Sequence, residues 1–164
     1  MKKIAVFVDV QNIYYTVKDT FGCNFNYRKL WEKLSADGEI VVANAYAIDR
    51  NDPQQRGFQK ALDAIGFNVK LKPFIQRSDG SAKGDWDVGI AIDVMDSVTA
   101  IKEPIDTVVL LSGDGDFDRL LTRVSQSNKV ETVIYGVEAL TAKSLIDAAD
   151  IFEPIDENLL LKNK

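Results

Sequence analysis

Three aspartates, Asp114, Asp116 and Asp118, stand on alternate positions of "LLSGDGDFDRLL", directly behind a run of apolar residues. Carboxylates held this close repel one another unless solvent, protons or a cation relieves the charge. A hard divalent cation is the natural partner, because Mg2+ and Mn2+ take oxygen ligands and need only a few carboxylates beside their waters. An oxygen-only site of that kind can activate water, neutralise phosphate charge and hold a leaving oxygen. Phosphodiester hydrolysis fits that inventory.

The absences point the same way. The 164-residue chain contains no histidine, which removes the commonest general base, every Ser-His-Asp or Cys-His arrangement and the usual zinc ligand. Chemistry must therefore run on carboxylates, lysine, hydroxyls or a hard metal. Cys23 is the only cysteine, so no intramolecular disulfide is expected and nothing suggests an oxidising compartment. A net charge of −5 argues against a large nonspecific nucleic-acid surface and leaves room for a local one. Apolar residues at 46% and charged residues at 27% are a globular composition, and the length fits one domain with its own core. Two lysines before an apolar stretch imitate the start of a signal peptide, but Asp9 ends the stretch too early for one. No segment approaches a membrane span. A cytoplasmic protein without a membrane partner is expected.

The elements that must position these acids alternate between strand and helix. "KIAVFVD" reads as a buried parallel strand, "IVVANAYAI" as the second and "FNVKLKPF" as a third, more exposed edge. "DTVVLLS" and "KVETVIYG" follow as fourth and fifth, and "ADIFEPI" as a short sixth. Helical patterns fall near 12–20, 27–36, 53–65, 87–100, 116–127 and 141–147. Asp52 and Pro53 supply an N-cap and a first-turn residue, and Gly66 a helix stop. Such alternation implies right-handed βαβ units and a mostly parallel sheet with helices on both faces. Residues 1–155 are expected to form a single domain and 156–164 a tail. The segment 76–86, "QRSDGSAKGDW", reads as a long loop of the kind that often carries function.

In open α/β sheets, ligands bind outside the carboxyl ends of the strands. Asp9 ends the first strand, while Asp114 and Asp116 follow the fourth after a short turn. If those strands are neighbours, the three acids face one cleft. Asp87, at the start of the helix before strand four, is a fourth candidate. N-capping and dipole compensation explain Asp85 or Asp87 singly, but explain less well why both stand beside the other acids. An EF-hand is nearly excluded, since Arg119 and Ser125 occupy its glycine and glutamate positions. Gln11 stands where an aspartyl phosphatase usually has its second acid. A response-regulator receiver would show a further acid near Asp9 and a late-strand lysine, and a toprim-like site a glutamate in place of Asp9.

In that order along the chain, "VFVDVQNIYY", "KGDWDVGIAIDVM" and "LLSGDGDFDRLL" resemble the three motif blocks of the NYN-domain family, in particular its LabA-like branch within the PIN-like nuclease superfamily. The resemblance spans about residues 4 to 135. It implies a three-layer α/β/α, Rossmann-like fold with core strand order 3-2-1-4-5. It also implies a ribonuclease-type site using Mg2+ or Mn2+, with Asp9, Asp87, Asp114 and Asp116 as metal ligands, and Asn12 and Ser112 beside them. Lys83 matches the lysine of the middle block and would face a phosphate. Single-stranded RNA is the implied partner, and a homodimer is compatible with the family. A slow or inactive binding module with the same acids, or a phosphatase with a closed pocket, remains an alternative reading of the residues.

Other residues are weighed singly. Asp118 reads as a first-turn acid complementing its helix dipole, and Asp93 as a salt-bridge partner of Lys83 or Arg119. Arg77, Arg119 and Arg123 would guide phosphates, or simply solvate their surface. Tyr14, Tyr15 and Trp86 would stack on unpaired bases, with core packing the expected role of Tyr14.

Overall fold

Lys3–Asp9 is apolar from Ile4 to Val8, and it forms the central strand β1, buried on both faces of a parallel sheet. The computed structural model of the chain describes residues 1–49, 52–73, 75–76, 82–83 and 86–161. After β1 come α1 (Val10–Phe21), β2 (Asn24–Phe25), α2 (Tyr27–Asp37), β3 (Glu39–Asp49), α3 (Pro53–Ile65) and β4 (Asn68–Pro73). The short strands β5 (Ile75–Gln76) and β6 (Ala82–Lys83) lead to α4 (Asp87–Thr99), β7 (Thr107–Leu111), α5 (Asp118–Ser127) and β8 (Glu131–Gly136). The described chain closes with α6 (Lys143–Ala148), β9 (Ile151–Pro154) and β10 (Leu160–Leu161).

The large sheet has the order β4-β3-β1-β7-β8-β9, and each of its neighbouring pairs is parallel. Counted by the six strands expected from sequence, that is 3-2-1-4-5-6. The parallel sheet expected from the chain pattern and the core strand order implied by the resemblance are therefore those observed. Period-two alternation sends Val6 and Val8 to one face, where they pack with Ile13 and Val17 of α1, Leu30 and Leu34 of α2 and Leu62 of α3. Ala5 and Phe7 face the other side, against Ile90 and Val94 of α4, Leu121 and Val124 of α5 and Leu145 of α6. Full burial of each such aliphatic side chain contributes about 1.5–3 kcal/mol, so the two clusters clamp the sheet from both sides.

Local signals act where the sequence places them. The Asp52 side chain accepts from the Gln54 N–H and Pro53 opens α3, while Gly66 closes it. β4 is an edge strand with Leu71 exposed, as its alternating lysines imply. Beyond Pro154, Ile155, Leu159 and Leu160 pack into the core of the first face, and β10 pairs antiparallel with β2.

Candidate functional site

β1 and β7 are neighbours in register Val8↔Leu111, so the chain leaves both strands at the same edge of the sheet. Asp9 is the N-cap of α1, and one of its oxygens accepts from the Asn12 N–H at 3.4 Å. Its other oxygen accepts from the hydroxyl of Ser112 at 3.2 Å. The fully buried Ser112 oxygen in turn accepts from the Asp114 N–H at 3.2 Å. From α1, the Asn12 side-chain carbonyl accepts from the Gly113 N–H at 2.9 Å. Asp9 and Asn12 thus hold the first two residues of the loop after β7.

That loop is gripped from below as well. The Ala142 N–H donates to the Gly113 carbonyl at 3.0 Å. A Cβ on Gly113 would lie 2.6 Å from the Leu140 carbonyl oxygen, and one on Gly136 only 2.4 Å from the Thr141 hydroxyl. No larger residue fits there without moving backbone or the buried Thr141, whose hydroxyl is already committed to the Val137 carbonyl at 2.7 Å. The segment 137–142 is therefore part of the site's support, which the sequence reading missed. Its only signals in the sequence are Gly113 and Gly136 themselves.

Held in this way, the Asp114 carboxylate accepts from the Asp116 N–H at 2.9 Å and starts a short 3-10 turn, Gly115–Phe117. Asp87 arrives from the first turn of α4. One carboxylate oxygen from each of Asp87, Asp114 and Asp116 lies within 4.8 Å of the others, with Asp87 and Asp114 half-buried and Asp116 exposed. Among the described residues, neither Asp114 nor Asp116 has an ion-pair partner. Asp9 stands outside this set of three and is joined to it through Ser112. Its charge, added to burial as the larger cause, pushes the Tyr27 phenol far above its ordinary range.

Other sequence expectations meet the structure unevenly. Asp118 takes up the first turn of α5, as expected, and Arg119 follows it exposed to solvent. Arg77, Asp85 and the side chain of Lys83 lie outside the described residues. Asp87 is a first-turn acid, while the N-cap itself is Trp86, which makes no side-chain capping bond.

Among the described residues Asp93 pairs with Lys70 and not with Arg119, while an Asp93–Lys83 pair falls outside them. Its Oδ2 accepts from the Lys70 ammonium and the Tyr46 hydroxyl, both at 2.8 Å, and the Asn44 amide donates to the same hydroxyl at 3.1 Å. The reason is topological: α4 covers the face on which Tyr46 of β3 and Lys70 of β4 are register neighbours. Burial opposes the charge on Asp93, but Lys70 and Tyr46 together outweigh it and hold the carboxyl below its ordinary value. Burial, reinforced by Asp93, pushes the Tyr46 phenol up.

Trp86 has partners within the fold, and the expectation for Tyr14 needs correction. Trp86 is anchored: its indole N–H donates to the Ala47 carbonyl at 2.9 Å, its ring packs on Tyr46, and Lys72 lies 4.5 Å over it. Tyr14 is not core but exposed, because Val10, Ile13 and Val17 make the buried stripe of α1 and position 14 falls beside it.

A three-layer sheet with acids converging at its carboxyl edge defines the PIN-like class of α/β/α folds. The model of the NYN domain matches residues 3–156. The chain belongs to the NYN domain family, within the PIN-like nuclease superfamily. It is 30% identical, over 94% of its length and 84% of the other's, to the low amplitude and bright protein LabA of Synechococcus elongatus. A solved structure of a protein of unknown function from Vibrio parahaemolyticus superposes with a TM-score of 0.90 at 49% identity, covering 98% of this chain and 96% of that one. A carbohydrate kinase from Agrobacterium tumefaciens, with a TM-score of 0.50 at 14% identity over 93% of this chain and 60% of its own, shares the fold alone. Among the described residues no helix is long and apolar enough to cross a membrane.

Proposed function

We propose that the protein is a metal-dependent ribonuclease that hydrolyses RNA phosphodiester bonds where β1, β7 and α4 meet. The observation that carries this reading is the convergence of Asp87 with Asp114 and Asp116, acids from distant segments, in a chain of the NYN family. The donors suit Mg2+ or Mn2+, being oxygen only. Ligands at about 2.1 Å from one ion lie no more than about 4.2 Å apart, so binding would require small side-chain rotations that close the 4.8 Å set to that span. Asp87, Asp114 and Asp116 would hold the ion, with Asp9 the fourth acid behind Ser112. Such an ion supplies positive charge for the phosphate and lowers the pKa of water at the site.

The chain's own groups do the rest. Asp9 and Asn12 fix Ser112 and Gly113, and so fix where Asp114 points. Arg119, exposed beside the loop, would meet substrate phosphates, joined by Lys83 and Arg77 of the segment before α4. The products would be a 5′-phosphate and a 3′-hydroxyl.

Cleavage of end-labelled single-stranded RNA in Mn2+ or Mg2+, with Asp114→Asn and EDTA controls, tests the reading. Metal-dependent cutting that Asp114→Asn abolishes is expected. A folded wild-type protein that binds Mn2+ but leaves the RNA intact would overturn the nuclease and favour a binding module.

A further inference from the structure

The exposed face of α1 carries two adjacent aromatics that neither the fold nor the acidic site uses. Tyr14 is 49% and Tyr15 47% exposed, although both follow immediately on the buried Ile13. Consecutive residues on a helix do not ordinarily face each other. Here the two rings nevertheless meet edge to face, with centroids 5.3 Å apart and planes at 80°. Leaning together, they form one aromatic ridge and leave ring surface open to solvent.

Two features beside the ridge indicate what would cover it. Lys18 is exposed, three residues beyond Tyr15 and four beyond Tyr14, hence a neighbour of both on the helix surface, and it has no ion pair among the described residues. The start of the same helix is tied to the acidic loop: Asn12, one turn before Tyr15, accepts from the Gly113 N–H next to Asp114. A ligand crossing from the acids onto α1 therefore meets aromatic surface with a cation beside it. Bases present flat π-faces and the strand presents phosphates, a match to that combination. Of the remaining exposed positions of the helix, Lys18, Asp19 and Thr20 are polar, and Phe21, 38% exposed at the helix end, adds aromatic surface two turns beyond Tyr14.

We infer that Tyr14 and Tyr15, with Lys18, form a stacking platform for unpaired bases of the RNA that reaches the acidic loop, which gives the protein its preference for single strands. This rests on the ribonuclease reading. It also makes a demand of its own: the platform must distinguish unpaired from paired bases, because a duplex keeps its base faces stacked inside.

The test is fluorescence anisotropy of a short labelled RNA, single-stranded or annealed to its complement, with Ca2+ replacing Mg2+ so that binding is read without cleavage. Tyr14→Ala and Tyr15→Ala should each weaken single-strand binding by about 5- to 100-fold and leave the duplex unchanged, while Tyr→Phe variants bind as wild type. Lys18→Ala should lower the slope of log affinity against log salt by about one. Thermal melts check that the variants fold. Single-strand binding untouched in both alanine variants would overturn the platform while leaving the nuclease standing, and so would an equal loss on the duplex. A wild-type protein that binds neither RNA overturns both.

Discussion

α4 carries two acids with opposite fates, and the contrast separates chemistry from architecture. Asp93, in the middle of the helix, points into the fold, where Lys70 and the Tyr46 hydroxyl neutralise and bond it. Asp87, at the helix start, joins Asp114 and Asp116 at the sheet edge, where charge of one sign gathers. An acid needed for stability is brought to a cation of its own chain. Acids brought to one another raise the energy of the folded chain unless solvent, a cation or a neighbouring group relieves them. The two regions should therefore respond oppositely to the loss of a charge.

The largest effect is expected at the edge. Asp114→Asn should lower RNA cleavage by at least about 100-fold, since even groups behind metal ligands typically cost 10- to 100-fold when removed. Its melting temperature should stay the same or rise, because one repulsive charge is gone. A large fall in stability would place Asp114 with Asp93 and break the contrast. Next comes the loop support: the Cβ of Gly113→Ala would push into the Leu140 carbonyl at 2.6 Å. Displacing Asp114 in this way should reduce cleavage by roughly 10-fold or more, with a stability loss of about 1–3 kcal/mol.

The half-buried pair should show the reverse pattern. Asp93→Asn removes the charge facing Lys70 and should cost about 1–2 kcal/mol in urea denaturation, while Mn2+ binding followed by electron paramagnetic resonance stays near wild type. Loss of Mn2+ binding in this variant would show that the network sets the position of Asp87. The same acid predicts a pH dependence. Its folded pKa lies below the ordinary 3.8, so its contribution is complete above that value and is lost as pH falls through the lowered folded value. Wild type should lose more stability than Asp93→Asn on acidification below about pH 4. The smallest effect is expected for Tyr46→Phe, about 1 kcal/mol, because Lys70 still holds Asp93 when the hydroxyl is gone.

Much of the scaffold was legible because its signals are local. Apolar runs gave the six strands of the large sheet but not the short β2, β5, β6 and β10, helical periodicity gave the six helices to within a few residues, and Asp52, Pro53 and Gly66 bounded α3 where their chemistry required. The acids could be shortlisted too, since Asp9, Asp87, Asp114 and Asp116 each sit at the end or start of an element. The partner of Asp93 was not legible, because Lys70 becomes its neighbour only when β3 and β4 pair beneath α4. Nor was the exposure of Tyr14, which depends on how far the buried stripe of α1 extends around the helix.

The sequence by itself determined the six strands of the large sheet and the six helices, the strand–helix alternation that makes that sheet parallel, and the absence of histidine, which leaves carboxylates, lysine, hydroxyls and a hard metal as the available chemistry. Tertiary structure decided which acids meet. Asp87 lies 27 residues before Asp114 in the chain, yet their carboxylate oxygens lie within 4.8 Å, while Asp9 reaches the loop only through Ser112. Periodicity reports which face of an element is buried. It carries no information on the distance between side chains from different elements, which only the packing of α1, α4 and the loop after β7 against one sheet edge can set.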